Sequence, residues 1–348
     1  MCQLESFARY FGYCAVSLFL LVTAGSSVTA QVEATNTLVP VQIRLTPDQK
    51  TIMLGEPLFI SFEVTNVSGE KLCLGVNNDF INVLGRPQRF KVSVRTAEGR
   101  YLRKIDVPGD GGAVDCDPIE PGETYSVRLF LPHWVTIERA GSYETYVTRQ
   151  MSFFRYPFSK FQRPRYSMLA EAKTDFTVVP ADENKMGSVI NALGSVMLDA
   201  GDPEAIDSAM ALASIDDKRV ISYFAEALGR FGNVGFAMGR DGEYTISSRS
   251  ITALATYDDD QAIAALQAAM KSTSDDVRLL VAKALGASPH RSASTLLMKM
   301  QDDSYYFVRL RVAQGLKNVE TTEAKATLQK LLKDESNDVR EAARESLN

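Results

Sequence analysis

Hydrophobic positions follow two different periods along the chain. From about Val41 to Val179 the period is two. "VQIRL" at 41–45 alternates Val, Ile and Leu with polar residues, and "LFISFEV" at 58–64 places Leu58, Ile60, Phe62 and Val64 on one face. "RFKVSVRT" (89–96), "TYSVRLFL" (124–131), "GSYETYVTRQ" (141–150) and "KTDFTVV" (173–179) continue the alternation. Gly and Pro break it at "LGEP", "EGR", "VPGDGG" and "EPGE". Short alternating runs between regular turn signals predict an antiparallel sandwich over residues 38–180. After "VVPADENK" (178–185) the alternation stops and a helical period takes over.

Within the helical part the sequence repeats itself. "DDVRLLVAKALG" (275–286), "YFVRLRVAQGLK" (306–317) and "NDVREAARESLN" (337–348) align without gaps, so Val277, Val308 and Val339 stand 31 residues apart. Arg278, Arg309 and Arg340 keep the same spacing, and Leu266, Leu297 and Leu328 extend it to the intervening helices. "RVISYFAEALGRFG" (219–232) and "MGSVINALGSVM" (186–197) are looser copies. Self-similarity at such a period marks stacked supersecondary units. We expect about five helix pairs over 186–348. The repeated arginines should form a structural ladder between repeats, with Asp276 and Asp338 nearby. Asp-rich starts such as "YDDDQA", "QDDS" and "SIDDK" read as helix caps. "FGNVGFAMGRDGEYTISS" (231–248) reads as a loop interrupting the repeats.

These motifs carry two resemblances. The "D-V-R-x-x-A-A-x-A-L-G"-like helix resembles the short bacterial form of the HEAT repeat, which implies an α-solenoid. "LTPDQKTIMLGEPLFISFEVTNVSGEKL", "IEPGETYSVRLFL" and "ERAGSYETYVT" resemble the immunoglobulin-like sandwich of bacterial exported proteins, which implies a fold and no chemistry. The antibody Cys…Trp…Cys order is missing, since Trp134 follows both candidate cysteines. The expected architecture is therefore multidomain: an all-β immunoglobulin-like sandwich followed by an all-α HEAT-like solenoid.

The first thirty residues differ from both halves. Arg9 precedes the apolar run "AVSLFLLVTA" (15–24), and Val28 and Ala30 occupy the −3 and −1 positions of a cleavage site. This is the pattern of a secretory signal peptide over 1–30, cut near Ala30, and the run is short of the roughly 20 residues a membrane span needs. The expected location is periplasmic or extracellular. Cys2 and Cys14 would leave with the signal, so Cys73 and Cys116 remain as one disulfide or as two reduced buried thiols.

Composition narrows the chemistry. The net charge of −5 offers no general attraction to nucleic acid. Residues 31–180 hold 18 basic and 17 acidic side chains, a net of +1; residues 181–348 hold 19 and 25, a net of −6. Only His133 and His290 are present, and neither belongs to a metal-ligand set or a nucleophile–base pair. No cofactor is expected. The HEAT motif also resembles that of phycobilin lyases, whose solenoid holds a pigment during its attachment, and that resemblance is the enzymatic alternative. A protease-inhibitor-like role for the sandwich is the other.

One segment stands apart. "MSFFRYPFSKFQRPRY" (151–166) holds six aromatic and four basic residues and no acid. It reads as a long connection between two late strands, at the tip that antibodies use for binding. Two readings stay open. Rings such as Phe153, Phe154 and Phe161 belong to a core, or Phe154, Arg155, Tyr156, Phe158, Lys160, Phe161, Arg163 and Arg165 form an exposed protein-binding loop. Contact with a membrane surface is the minor variant of the second. The expected function is a non-catalytic, exported protein-interaction scaffold.

Overall fold

The computed structural model describes residues 39–76, 87, 89–105, 116–159, 161–199, 204–234 and 241–348, the last without the side chains of 241–244. The segment expected to be a signal peptide and Lys160 lie outside the described residues.

The alternating runs form two sheets. The smaller joins β1 (Val41–Pro47), β3 (Phe59–Asn66) and β7 (Thr124–Phe130) in the antiparallel order β1-β3-β7. The larger holds β2 (Thr51–Met53), β4 (Leu72–Gly75), β5 (Phe90–Thr96), β6 (Cys116–Ile119), β8 (Gly141–Arg155) and β9 (Tyr166–Val179). Its spine is β8, which pairs with β9 from Gly141↔Val178 to Phe153↔Tyr166. The other edge of β8 is shared: β5 takes Tyr143 to Arg149, and β4 takes Phe153 to Arg155. The short strands β2, β4 and β6 are too brief to show an alternation, and the periodicity alone does not predict them.

Both sheets contribute to one core, in which Phe62 of β3 meets Phe90 of β5 edge-on at 5.2 Å. Asn66, at the end of the "F-x-V-x-N" strand, is fully buried and donates to the Glu70 and Ile119 carbonyls, both at 2.9 Å. It ties β3 to β6 across the sheets. Arg149 breaks the expected polarity. The two-residue period turns it inward on β8, where its guanidinium lies 4.9 Å from the Phe90 ring and 5.5 Å from the Tyr125 ring. Cys73 of β4 and Cys116 of β6 are joined by a disulfide bond, with their Cα atoms 5.6 Å apart.

Among the described residues ten helices follow: α1 (Glu183–Met197), α2 (Ala205–Ala213), α3 (Val220–Phe231), α4 (Asp241–Leu254), α5 (Asp260–Ala269), α6 (Asp275–Ala287), α7 (Ala293–Met298), α8 (Tyr306–Gly315), α9 (Thr322–Leu331) and α10 (Asn337–Leu347). Alternate helices pack into two rows. One row contains α2-α4-α6-α8-α10 in succession, and a single apolar cluster runs from Met186 to Ala343. The stretch read as a loop over 231–248 is in part helical, because α4 already begins at Asp241. Caps explain several starts. Asp182 accepts from Asn184 and Lys185 N–H before α1, Asp259 from Gln261 and Ala262 before α5, Ser274 from Val277 before α6, and Thr321 from Ala324 before α9.

The β-rich and helical regions meet at a dry contact. Phe59 and Phe130, with ring centroids 4.8 Å apart, pack on Met210 and Ala211 of α2. Beside them Arg128 of β7 donates at 2.5 Å to Asp48 and at 2.5 Å to Asp207 of α2, with its guanidinium 4.4 Å from the Phe59 ring.

Candidate functional site

The aromatic-basic segment divides where the pleat ends. The alternation of β8 carries on through Met151 and Phe153, both fully buried, and Phe154 is 7% exposed. Residues 151–155 therefore belong to the sheet, and the connection is 156–165 rather than 151–166. The reason is pairing. β8 keeps partners on both edges up to Phe153, which faces Tyr166 on one side and Leu74 on the other, and on the β4 edge as far as Arg155, opposite Leu72. Pro157 then cannot continue the ladder.

Phe154 thus belongs to the packed set and is removed from the exposed candidates. Its ring meets Phe158 edge-on at 5.1 Å and lies against Gly75, where a Cβ would stand only 3.0 Å away. The connection beyond it is exposed. Phe161 is 98% and Tyr156 53% accessible, while Arg155 and Arg163 point to the surface. Two anchors hold its ends. Lys71 lies 4.2 Å over the Tyr156 ring and pairs with Glu120 at 2.5 Å, a bond that raises the lysine's pKa. Arg165 pairs with Glu70, and its backbone N–H donates to the Phe153 carbonyl at 2.7 Å. Arg165 is thus tethered, while Phe161 and Arg163 project between the anchors.

The arginine ladder exists, with different acids from those expected. The guanidinium of Arg278 donates to both carboxylate oxygens of Asp303, at 2.8 and 3.1 Å, and Arg309 does the same to Asp334, at 2.7 and 3.0 Å. Each spans 25 residues, from a helix in one repeat to the loop before the equivalent helix of the next. Each also donates backwards to a carbonyl six residues upstream, Ser272 or Asp303. The bonds raise both guanidinium pKa values; Asp334, although desolvated, is held below the usual carboxylate range by Arg309. Arg340 donates to the Asp334 and Glu335 carbonyls at 2.7 and 2.9 Å. Asp303 and Asp334 are also 31 residues apart, a signal present in the sequence beside the arginine repeat. All three arginines are occupied with structural bonds.

A second polar group escaped the sequence reading. On β8, Glu144 accepts from Arg95 at 2.5 Å, from Lys173 at 3.1 Å and from the Tyr146 hydroxyl. The Tyr146 bond, against some desolvation and with help from Arg95 and Lys173, brings the Glu144 pKa to about 2. A shallow cavity of about 390 Å³ adjoins it, lined by Arg95, Glu98, Tyr143 and Asp175 among others. Paired partners across three strands cannot be read from one strand's pattern. His290 lies buried in the solenoid, with its Nε2 3.1 Å from Asp260 and its Nδ1 accepting from the Ser292 N–H at 3.1 Å. Among the described residues no group of His, Cys, Asp and Glu could hold a metal ion, and no helix is long and apolar enough to cross a membrane.

A family model described as HEAT repeats matches residues 236–317. No curated protein matches the chain. Human deoxyhypusine hydroxylase in complex with glycerol is similar at 18% identity over 46% of this chain and 73% of that one, with a TM-score of 0.28. An engineered protein is similar at 22% identity, over 48% and 83% of the two chains, also with a TM-score of 0.28. Escherichia coli alpha-2-macroglobulin activated by porcine elastase is similar at 11% identity over 88% of this chain and 37% of that one, with a TM-score of 0.22. TM-scores this low fix neither fold nor function. The chain therefore carries HEAT repeats in a helical region that follows a β-rich one.

Proposed function

We propose that the chain is a non-catalytic, exported, bacterial protein-interaction scaffold, built as an immunoglobulin-like sandwich over 38–180 and a HEAT-like solenoid over 186–348. One observation carries the reading: between two tethered ends, the 156–165 connection holds Phe161 almost wholly in solvent beside Arg163. Aromatic rings with arginine are the residues that dominate binding energy when a partner covers them. HEAT repeats over 236–317 support the same class of role, since stacked helix pairs present a long surface. The Cys73–Cys116 disulfide supports an oxidising compartment, in keeping with a signal peptide cut near Ala30.

The test is affinity capture with crosslinking from the native cell envelope. Wild type is compared with a variant carrying Tyr156→Ser, Phe161→Ser and Arg163→Glu, all outside the packed set. With equal melting temperatures, the reading expects a protein captured by wild type and lost by the variant. Capture of a pigment carrier together with turnover of its ligand would instead favour the lyase-like reading.

A further inference from the structure

The helix row α6-α8-α10 breaks its own rule at one place. The residues opening α6 are Ser274, Asp275 and Asp276, and those opening α10 are Ser336, Asn337 and Asp338. At the same repeat positions α8 opens on Tyr305, Tyr306 and Phe307. It thereby gives up the side-chain cap that Ser274 provides on α6 and the first-turn acids that suit a helix N-terminus. Part of the replacement serves the fold, since Tyr305 and Tyr306 pack against the buried cluster of the helices, but Phe307 is only partly covered and is not among the residues packed on that cluster.

The replacement makes a patch. The three rings contact one another at 4.0 to 6.0 Å between centroids and remain partly exposed. Phe307 shares its helix face with Leu310, one turn on, and neither is fully buried. On the flanking helices the equivalent positions are Asp276 and Leu279 of α6, and Asp338 and Glu341 of α10. The row therefore offers an apolar centre at Phe307, flanked by Leu279 and Leu310, which are half-buried against the helical core, with carboxylates at both sides. The helical region as a whole carries a net charge of −6.

Its complement stands on the other half of the same chain. The 156–165 connection presents a solvated ring, Phe161, and the exposed Arg163, next to the exposed Arg155, and the 151–166 stretch holds no acid at all. We propose that the α6-α8-α10 row is a docking surface for the aromatic-basic connection of a second copy of this chain, with Phe161 seated against Phe307 and Leu310 and Arg163 facing Asp338 and Glu341. The proposal rests on the scaffold reading and names its partner. Such a contact is head-to-tail: each copy uses two different surfaces, so it closes into a ring or extends as a chain. Charge complementarity sets its orientation and makes it salt-dependent.

Sedimentation velocity on the full chain tests it. Wild type is expected to sediment faster as concentration rises, and less so in high salt. A Phe161→Ser/Arg163→Glu variant and a Phe307→Ser/Asp338→Lys variant are each expected to stay monomeric, while their mixture forms a dimer through the one intact pair of surfaces. If Phe307→Ser lowers the melting temperature, Asp338→Lys alone takes its place. The double swap Arg163→Glu with Asp338→Lys in one chain should then recover association. Wild type remaining monomeric at every concentration overturns the proposal, and so does a mixture that stays monomeric. A monomeric chain that still captures another protein through its 156–165 connection overturns this inference alone and leaves the scaffold reading standing.

Discussion

Arg309 shows how one residue joins two repeats. Its guanidinium and the Asp334 carboxylate are 8% and 7% exposed, and they form a two-pronged bond. Removing one partner leaves the other desolvated and unpaired, which costs about 3 kcal/mol in such settings. Arg309→Met should therefore lower stability by that order in chemical denaturation. Arg340→Met, which loses donors to two backbone carbonyls and to the Asn337 side-chain oxygen but no buried ion pair, should cost about 1 kcal/mol. Glu144 gives a prediction in pH. Its folded pKa of about 2 lies below the unfolded value near 4.3, so its stabilisation is fully present above the unfolded pKa and is lost as pH falls through about 2. The stability difference between wild type and Glu144→Gln should be constant above about pH 5 and shrink steadily towards pH 2. The arginine positions are legible in the sequence because they repeat. The acids of the next repeat that face them, Asp303 and Asp334, are legible only once their own 31-residue spacing is read, since each lies 25 residues from its arginine.

At the scale of elements, β8 decides the fate of the aromatic-basic segment. A composition of rings and arginines resembles a loop, but the alternation that buries Tyr143, Val147 and Met151 also buries Phe153. Phe154→Ser should destabilise by about 3 kcal/mol, because it empties a packed position against Gly75 and Phe158. Phe161→Ser should change stability by less than about 0.5 kcal/mol. Thermal melts of the two variants check both. Long strands and capped helices were legible because a dozen residues share one period. The strands β2, β4 and β6 were not, since runs of three or four residues carry no period and exist through their partners. The bond between β4 and β6 closes a 43-residue separation. By loop entropy a cross-link of that length is worth about 4 kcal/mol, so Cys73→Ala/Cys116→Ala should lose about that much stability.

At the scale of the whole molecule, the β-rich and helical regions share a seam. Phe59, Phe130, Met210 and Ala211 exclude water there, and Arg128 bonds across it to Asp207. The sequence shows where the period changes, near Pro180, but a seam closed by residues as far apart as Arg128 and Asp207, 79 positions, leaves no local pattern. Calorimetry should show one cooperative transition for wild type and two separated ones for Phe130→Ala/Arg128→Ala. The seam matters for the proposed role, since it fixes the acidic helix row and the basic connection on one body.

Crosslinking mass spectrometry on the full chain, bound to whatever it captures in the cell envelope, locates the binding surfaces. Intermolecular crosslinks are expected to concentrate at 155–165 and along the exposed faces of α6, α8 and α10. Crosslinks that avoid both regions and cluster instead around the Glu144 cavity or the outer face of β9 would contradict that placement.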